Sequence, residues 1–246
     1  MALDLADKTS NGNTLTNNGA AEWTTDFPFA ASTEAVALVR SENDYLSAAD
    51  SASLSITGNL TIESWVKFDT LPSTGTGYIV AAKLANDATQ RSYQFLFYNN
   101  AGTYSLFFYV STNGTSWTTS GNVAWSPSPT TNTWYHVAIS YTNSTGVAKA
   151  VVDGTQMGAD ITGLDTTSLA DTTGIFKIGL DNTTDVNYMN GKMDEVRVWN
   201  TARTVTEIND NKSLELTGTE TGLQAYWPFE ALPVTGGAKS MPFMIY

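Results

Sequence analysis

Apolar and polar residues alternate along this chain in short runs. In residues 59–69, every second position from Leu60 to Phe68 is mostly apolar, and the positions between carry Thr, Glu, Trp and Lys. Because successive side chains of a strand point to opposite faces, this alternation predicts a strand with one face in a core. Comparable runs recur, most of them followed by turn residues, at 77–85, 92–100, 103–111, 133–141, 146–154, 174–180, 192–200 and 222–230.

Turn residues between these runs define how the strands connect. The stretch NNAG (99–102) separates two apolar runs and predicts a hairpin. One short helix is predicted after Thr204, because Glu207 three residues later completes a capping box. The fold class is therefore all-β, with two packed antiparallel sheets and one short helix. Residues 1–232 are predicted to form one domain, and residues 233–246 a linker with an apolar docking tail.

Charge and residue usage narrow the classes of function. The 24 acidic against 12 basic residues give a formal net charge of −12, which disfavours nucleic acid as a partner. The absence of Cys and the single His136 exclude disulfides, thiolate metal sites and multi-histidine sites. The sequence contains no run of 18 apolar residues, so no membrane span is predicted. The first residues also lack a signal-peptide pattern. We therefore expect an extracellular, cell-surface or virion setting, either as an excised module or as a phage protein made in a cytoplasm.

Five segments, in order, resemble one known family. They are DYLSAADSASLSITGNLTIESWVKF (44–68), TNTWYHVAISY (131–141), VVDGTQMG (151–158), KIGLD (177–181) and GKMDEVRVWNTARTVTEI (191–208). They resemble the laminin G-like jelly roll of the concanavalin A-like lectin/glucanase superfamily, in its bacterial and phage branch related to pentraxins. The resemblance implies a β-sandwich with one concave sheet. It also implies that the strand carrying Trp227 closes the sandwich near the N-terminal loop (10–19).

Two adjacent acids, Asp194 and Glu195, lie inside a predicted strand. Glucanases of this superfamily carry acids at alternate positions, Glu-x-Asp-x-Glu, so that they share a face and flank one glycosidic bond. Adjacent acids in a regular strand point to opposite faces and cannot act as a pair without a bulge, so we do not expect catalysis here. Asp194 shares its parity with Val196 and Val198, the predicted core face, whereas Glu195 is expected to pair with Arg197 or another base. An inward Asp194 needs either backbone donors or a cation.

The loop ADKTSNGN (6–13) has the oxygen-rich chemistry that Ca²⁺ prefers. The sharper hypothesis is a structural calcium site, and the simpler alternative is an Asx-rich turn without metal. The predicted metal ligands are Asp7, Ser10, Asn11, Asn13 and Asp194.

Two sets of residues are candidate ligand contacts. The loop DNTTDVNY (181–188) offers polar groups at the rim, and two tryptophans lie in a polar context suited to stacking on sugars. The alternatives are a solvated loop and core packing, respectively, and His136 is predicted to be a hydrogen-bonded strand residue. The predicted ligand-binding residues are Trp117, Trp125, Asp181, Asn182, Asp185 and Asn187.

The sequence thus favours a non-catalytic binding or adhesion module that recognises a cell-surface glycan or protein. The alternative is a structural or virion decoration protein assembled on a scaffold through its tail, and a glycoside hydrolase ranks last. The tail residues predicted to dock on a partner are Met241, Phe243, Met244, Ile245 and Tyr246.

Overall fold

A computed structural model describes residues 3–85, 89–181 and 187–230 of the protein. Its one α-helix is α1 (Val205–Asn211). The strands are β1 (Thr16–Asn18), β2 (Glu22–Thr24), β3 (Ala35–Leu38), β4 (Tyr45–Ala48), β5 (Leu60–Phe68), β6 (Gly77–Lys83), β7 (Tyr93–Asn100), β8 (Thr103–Val110), β9 (Thr119–Ala124), β10 (Trp134–Thr142), β11 (Val147–Val152), β12 (Thr155–Gln156), β13 (Phe176–Ile178), β14 (Gly191–Trp199) and β15 (Leu223–Trp227).

These strands form two antiparallel sheets, which confirms the predicted all-β sandwich. The seven-stranded sheet has the order β1-β4-β13-β6-β7-β8-β9, and the eight-stranded sheet has the order β12-β11-β10-β5-β14-β3-β2, with β15 also paired to β14. One edge of β14 pairs with β5 over most of its length. Its other edge pairs first with β3 and then with β15, so β14 changes partner near its middle.

The core lies between the two sheets and follows the predicted alternation. On β5, the core-facing Leu60, Ile62 and Phe68 are at most 1% exposed and pack in the main cluster. Across the sandwich, Phe95 and Phe97 of β7 join the same cluster. Each fully buried side chain of this size contributes roughly 1.5–3 kcal/mol relative to exposure.

The predicted hairpin and helix are both confirmed. β7 and β8 pair in register up to a turn in which Ala101 and Gly102 have φ of 51° and 91°. Thr204 caps α1, and its backbone N–H donates to Glu207 Oε2 at 2.7 Å.

Strand β15, which carries Trp227, lies beside the N-terminal loop, as the resemblance implies. The Lys8 backbone N–H donates to the carbonyl of Tyr226 at 2.9 Å. Trp227 Nε1 donates to the carbonyl of Asn13 at 2.9 Å. The predicted docking tail, 233–246, lies outside the described residues, so its docking stays a prediction. Among the described residues, no helix has the length and apolar character needed to cross a bilayer.

Candidate functional site

The two acids of β14 lie at an irregularity in the strand. Asp194 pairs across the sheet with Trp65, and Arg197 pairs with Glu63, so two residues of β14 oppose one residue of β5. Glu195 takes a left-handed conformation with φ of 53°. This arrangement is a β-bulge, which inserts one extra residue and breaks the alternation.

The bulge overturns the predicted orientation of Asp194. Met193 and Val196 both enter the main core, as does Val198. Asp194 instead shares the register of Trp65 on the opposite, outer face of the eight-stranded sheet. The prediction that Asp194 faces the core is therefore wrong, because parity counted along the sequence ignores the inserted residue.

Asp194 lies where β14 exchanges β3 for β15 and is held by protein donors. Ser32 Oγ donates to Asp194 Oδ2 at 2.7 Å, and the Glu195 backbone N–H donates to Oδ1 at 2.8 Å. Burial, followed by the neighbouring charge of Glu195, raises the pKa of Asp194 well above its usual range. A backbone donor thus satisfies part of this carboxyl, in line with the simpler of the two alternatives for it.

Glu195 and Arg197 form the predicted ion pair, which lies on the outer face of the eight-stranded sheet beneath α1. The Arg197 guanidinium donates to the Glu195 carboxylate, and Tyr226 Oη donates to Glu195 Oε1 at 2.8 Å. Arg197 also donates to the carbonyls of Asn211 and Leu214. The ion pair therefore fastens the end of α1 and the following turn onto the sheet.

Glu63 and His136 extend this buried network. Trp199 Nε1 donates to Glu63 Oε1 at 2.8 Å, and His136 Nε2 lies 3.4 Å from Glu63 Oε2. The sequence predicts a hydrogen-bonded histidine, but neither ring nitrogen of His136 makes a well-formed hydrogen bond. Burial lowers the pKa of His136, so the ring is neutral. Burial works to raise the pKa of Glu63, but His136 and the charge of Arg197 outweigh it, and the net shift is downward.

Solvent does not reach this network. Glu63, His136 and Arg197 are 0% exposed and Glu195 is 1% exposed. A substrate could not touch these groups without displacing parts of the fold. We therefore assign the buried network to the scaffold.

The N-terminal loop, which carries most of the predicted calcium ligands, is held by hydrogen bonds within the protein. The Asp7 carboxylate accepts five hydrogen bonds, from the backbone N–H groups of Thr9, Asn13 and Tyr226, the Thr9 hydroxyl and the Asn13 amide. Asp7 shares no hydrogen-bond partner with Asp194, and within the described parts of the chain no three His, Asp or Glu side chains form a metal-binding group. The Asx-turn alternative describes this loop.

Two further predicted calcium ligands, Asn11 and Ser10, belong to the same loop. Asn11 Nδ2 donates to the carbonyl of Gln224 at 2.9 Å, and the side chain of Ser10 is exposed. Asn11 and Asn13 share the Gln224 carbonyl as acceptor and Asn13 also binds Asp7, whereas Asp194 has the separate partners Ser32 and Glu195, so calcium binding stays a prediction.

The outer face of the seven-stranded sheet carries a different set of side chains. Four aromatic rings lie in succession across β7, β8 and the loop after β8. Their centroids are 5.4 Å apart from Tyr98 to Phe107, 6.0 Å from Phe107 to Tyr109 and 5.7 Å from Tyr109 to Trp117. All four side chains are half-buried and rest on a small apolar cluster that includes Leu96. We call Tyr98, Phe107, Tyr109 and Trp117 the aromatic strip.

Polar residues accompany the aromatic strip along the same face. Gln94 pairs with Tyr109 in register, and its Nε2 donates to Asp181 Oδ2 at 2.9 Å. On the other side of the strip, Ser120 and Asn122 of β9 pair with Tyr109 and Phe107 and are exposed. The strip therefore lies between hydrogen-bonding groups, as sugar rings require.

Asp181, the first residue of the predicted rim loop, lies beside this face. Asp181 is 7% exposed, and its backbone carbonyl accepts from the buried Lys177 ammonium. Asn187 Oδ1 accepts from the Gly77 backbone N–H at 2.9 Å, which ties the loop to β6. The predicted contacts Asn182 and Asp185 lie outside the described residues.

The two candidate tryptophans have different positions. Trp117 belongs to the aromatic strip, with the Arg91 guanidinium 5.7 Å from its ring centroid. Trp125 is 5% exposed and packs edge-on against Phe97 and Tyr135 in the main core. The surface position predicted for Trp125 is therefore wrong, because its polar sequence context hides its place at the end of β9.

Sequence reasoning overlooked Tyr98 as a member of the aromatic strip. The signal was present in the hairpin turn, which fixes the parity of both its strands. Phe95 and Phe97 occupy the core parity of β7, so Tyr98 must face outward with Gln94.

The two antiparallel sheets pack as a jelly-roll β-sandwich. The chain belongs to the concanavalin A-like lectin/glucanases superfamily, whose laminin G-type family model matches residues 40–209.

Solved structures with the same fold include binding proteins from several organisms. A carbohydrate-binding protein described as putative, from Bacteroides ovatus, is 21% identical, with 78% of this chain and 51% of that chain covered and a TM-score of 0.56. Domain 4 of the extracellular arabinanase AbnA from Geobacillus stearothermophilus, solved with arabinotriose, is 16% identical, with 85% and 97% covered and a TM-score of 0.59. A heptameric pentraxin from Limulus polyphemus is 16% identical, with 62% and 69% covered and a TM-score of 0.50. The match spans about half of the Bacteroides chain. No curated protein sequence matches this chain.

Proposed function

We propose that this protein is a non-catalytic binding module that recognises glycans through the aromatic strip. The observation that carries the proposal is the row of four half-exposed rings on one sheet face. Aromatic rings combine a flat apolar surface with polar edges, and sugars present flat CH faces bordered by hydroxyl groups. Stacking on successive rings therefore suits a glycan.

The polar groups beside the strip complete such a site. Ser120 and Asn122 are exposed on β9, and neither makes a side-chain hydrogen bond within the described structure that would occupy it. They are free to bind hydroxyl groups that a stacked sugar directs sideways. A few well-placed polar groups beside an apolar surface are typical of ligand sites.

The positions of the carboxylates argue against hydrolysis. A glycosidase needs two carboxyl groups that flank the scissile bond. Glu63, Asp194 and Glu195 are at most 1% exposed and belong to the other sheet. Asp181 lies beside the aromatic strip but is engaged with Gln94.

Proteins of the same fold support a carbohydrate ligand over a protein ligand. One is described as a carbohydrate-binding protein, and another was solved with arabinotriose. By the same reasoning, the module acts outside the cell, as part of a cell-surface, secreted or virion protein.

A glycan array with the purified protein tests the proposal. We expect the wild type to bind a defined set of glycans, and Trp117→Ala to lose about 2 kcal/mol of binding free energy or more, as central aromatic contacts do. Phe27→Ala is the matched control, because Phe27 is an exposed ring (38%) outside the aromatic strip. Absence of binding to any glycan, or equal binding by Trp117→Ala and Phe27→Ala, would refute the proposal.

A further inference from the structure

A polar pocket of about 450 Å³ opens between two loops of the sandwich. One wall is the loop after β8, and the other is the loop that leads into β13. Its lining includes Thr112, Asn113, Thr115, Ser168, Asp171 and Thr172.

The pocket begins where the aromatic strip ends. The Arg91 guanidinium lies beside the Trp117 ring and donates to the carbonyl of Thr115, which lines the pocket. The Arg91 backbone N–H also donates to the carbonyl of Gly114, another lining residue, at 2.9 Å. A ligand that leaves the strip past Trp117 therefore meets this loop next.

The lining suits an uncharged, hydroxyl-rich group. Asp171 is the charged side chain of the lining and is exposed, as are Ser168 and Thr115. A carboxylate accepts hydrogen bonds from neighbouring hydroxyl groups of one sugar ring. It repels an anionic ligand, as does the net charge of −12 of the whole chain.

We propose that this pocket is a second subsite, which binds a terminal sugar of a linear neutral glycan whose other sugars stack on the aromatic strip. The inference rests on the proposed glycan binding and adds its substrate class. The strip supplies affinity for any chain with flat sugar faces, and Asp171 determines whether the sugar in the pocket is accepted.

Chain length is the property that separates the two subsites. A short oligosaccharide is held by the strip alone, whereas a longer one also reaches the pocket. Affinity is expected to rise with length, and the last part of that rise is expected to depend on Asp171.

The test is calorimetric titration with linear oligosaccharides from disaccharide to hexasaccharide. The probes are β-1,4-linked glucan, xylan and mannan and α-1,5-linked arabinan fragments, with oligogalacturonate as the acidic probe. The variants are Asp171→Ala and, as a control for charge, Asp210→Ala. Asp210 is an exposed acid on α1, at the outer face of the other sheet. Thermal unfolding checks that both variants remain folded.

We expect Asp171→Ala to weaken the longest bound probe about tenfold, the effect of losing a hydrogen bond to a charged group, and to leave the shortest bound probe unchanged. Asp210→Ala should match the wild type, and oligogalacturonate should not bind. If neutral probes bind through Trp117 but Asp171→Ala equals Asp210→Ala at every length, the pocket is not a subsite and the proposed function stands. If no neutral probe binds, the inference of a linear neutral glycan fails, and the glycan array decides the proposed function separately.

Discussion

The outer faces of the two sheets differ in what covers them. On the eight-stranded sheet, Glu63, His136, Glu195 and Arg197 are almost completely buried, and Arg197 binds the end of α1 and the turn after it. On the seven-stranded sheet, the aromatic strip leaves its four rings half-exposed over a small apolar cluster. Charged groups are thus inside on one face, and apolar rings are partly outside on the other.

This difference separates scaffold from site. Buried charges are stable only when each has its partner, so they fix the position of α1 and tolerate little change. Half-exposed rings retain a surface that a ligand can bury, and their partial exposure costs the fold little stability. In this protein, the strand acids Glu63, Asp194 and Glu195 are buried, whereas the rings of the aromatic strip remain accessible to a ligand.

Arg197→Ala should give the largest loss of stability on the covered face. It leaves Glu195 and Glu63 buried without their cation, which costs about 3–5 kcal/mol of unfolding free energy. Lys149→Ala, which removes an exposed ion pair with Asp160 on the same sheet, should cost about 1 kcal/mol or less. Urea denaturation of both variants measures the two losses, and similar values would show that the buried network is not structural.

The next largest contrast in stability is expected between Trp125, which lies in the core, and Trp117, which lies on the outer face. Trp125→Ala should lower the unfolding free energy by about 3 kcal/mol, because it opens a cavity in the core. Trp117→Ala should cost clearly less stability but abolish glycan binding. Denaturation and binding measured on the same preparations check this, and the reverse order of stabilities would contradict the assignment of Trp125 to the core.

The pH dependence of stability tests the buried histidine. Burial lowers the pKa of His136 in the folded state, so the unfolded state takes up the proton first as the pH falls below about 6.5. Stability should therefore fall on acidification, by at most about 1.4 kcal/mol per pH unit for this one proton. Asp194 and Glu195 have raised pKa values and act in the opposite direction, so the comparison is made with His136→Gln. A wild type and a His136→Gln variant with equal slopes between pH 7 and 5 would refute the assignment.

Asp194→Asn is expected to raise the stability at neutral pH. Because its folded-state pKa is raised, ionised Asp194 destabilises the fold above that pKa, and the penalty disappears as the pH falls to the usual value of 3.8. The Asn side chain keeps an acceptor for the Glu195 backbone N–H. The melting temperature in chelator measures the gain.

The same melting experiment with added calcium could contradict the hydrogen-bonded description of Asp194. If calcium raises the melting temperature of the wild type but not of Asp194→Asn, then Asp194 is a calcium ligand and the hydrogen-bonded description is incomplete.

The sequence was a good guide to the fold and a partial guide to the site. Alternation placed Leu60, Ile62 and Phe68 in the core, and the capping box placed α1, because both depend on neighbouring residues. The orientation of Asp194 was not predictable, since the bulge arises where β14 exchanges one partner strand for another.

The candidate site shows the same division. Trp117 was identified from its polar surroundings, but the same reasoning failed for Trp125, which packs against residues distant in sequence such as Phe68. The succession of rings in the aromatic strip depends on the cross-strand register of β7 and β8, which single-strand patterns do not contain.

The most direct test of the central claim compares one residue from each outer face in glycan binding. Tyr109→Ala removes a middle ring of the aromatic strip, and Val205→Ala trims the half-buried face of α1 on the other sheet. Titration with the strongest glycan from the array should give about a tenfold or greater loss of affinity for Tyr109→Ala. Val205→Ala should keep the wild-type affinity. Undiminished binding by Tyr109→Ala, or an equal loss in Val205→Ala, would contradict the claim that the aromatic face of the seven-stranded sheet is the binding site.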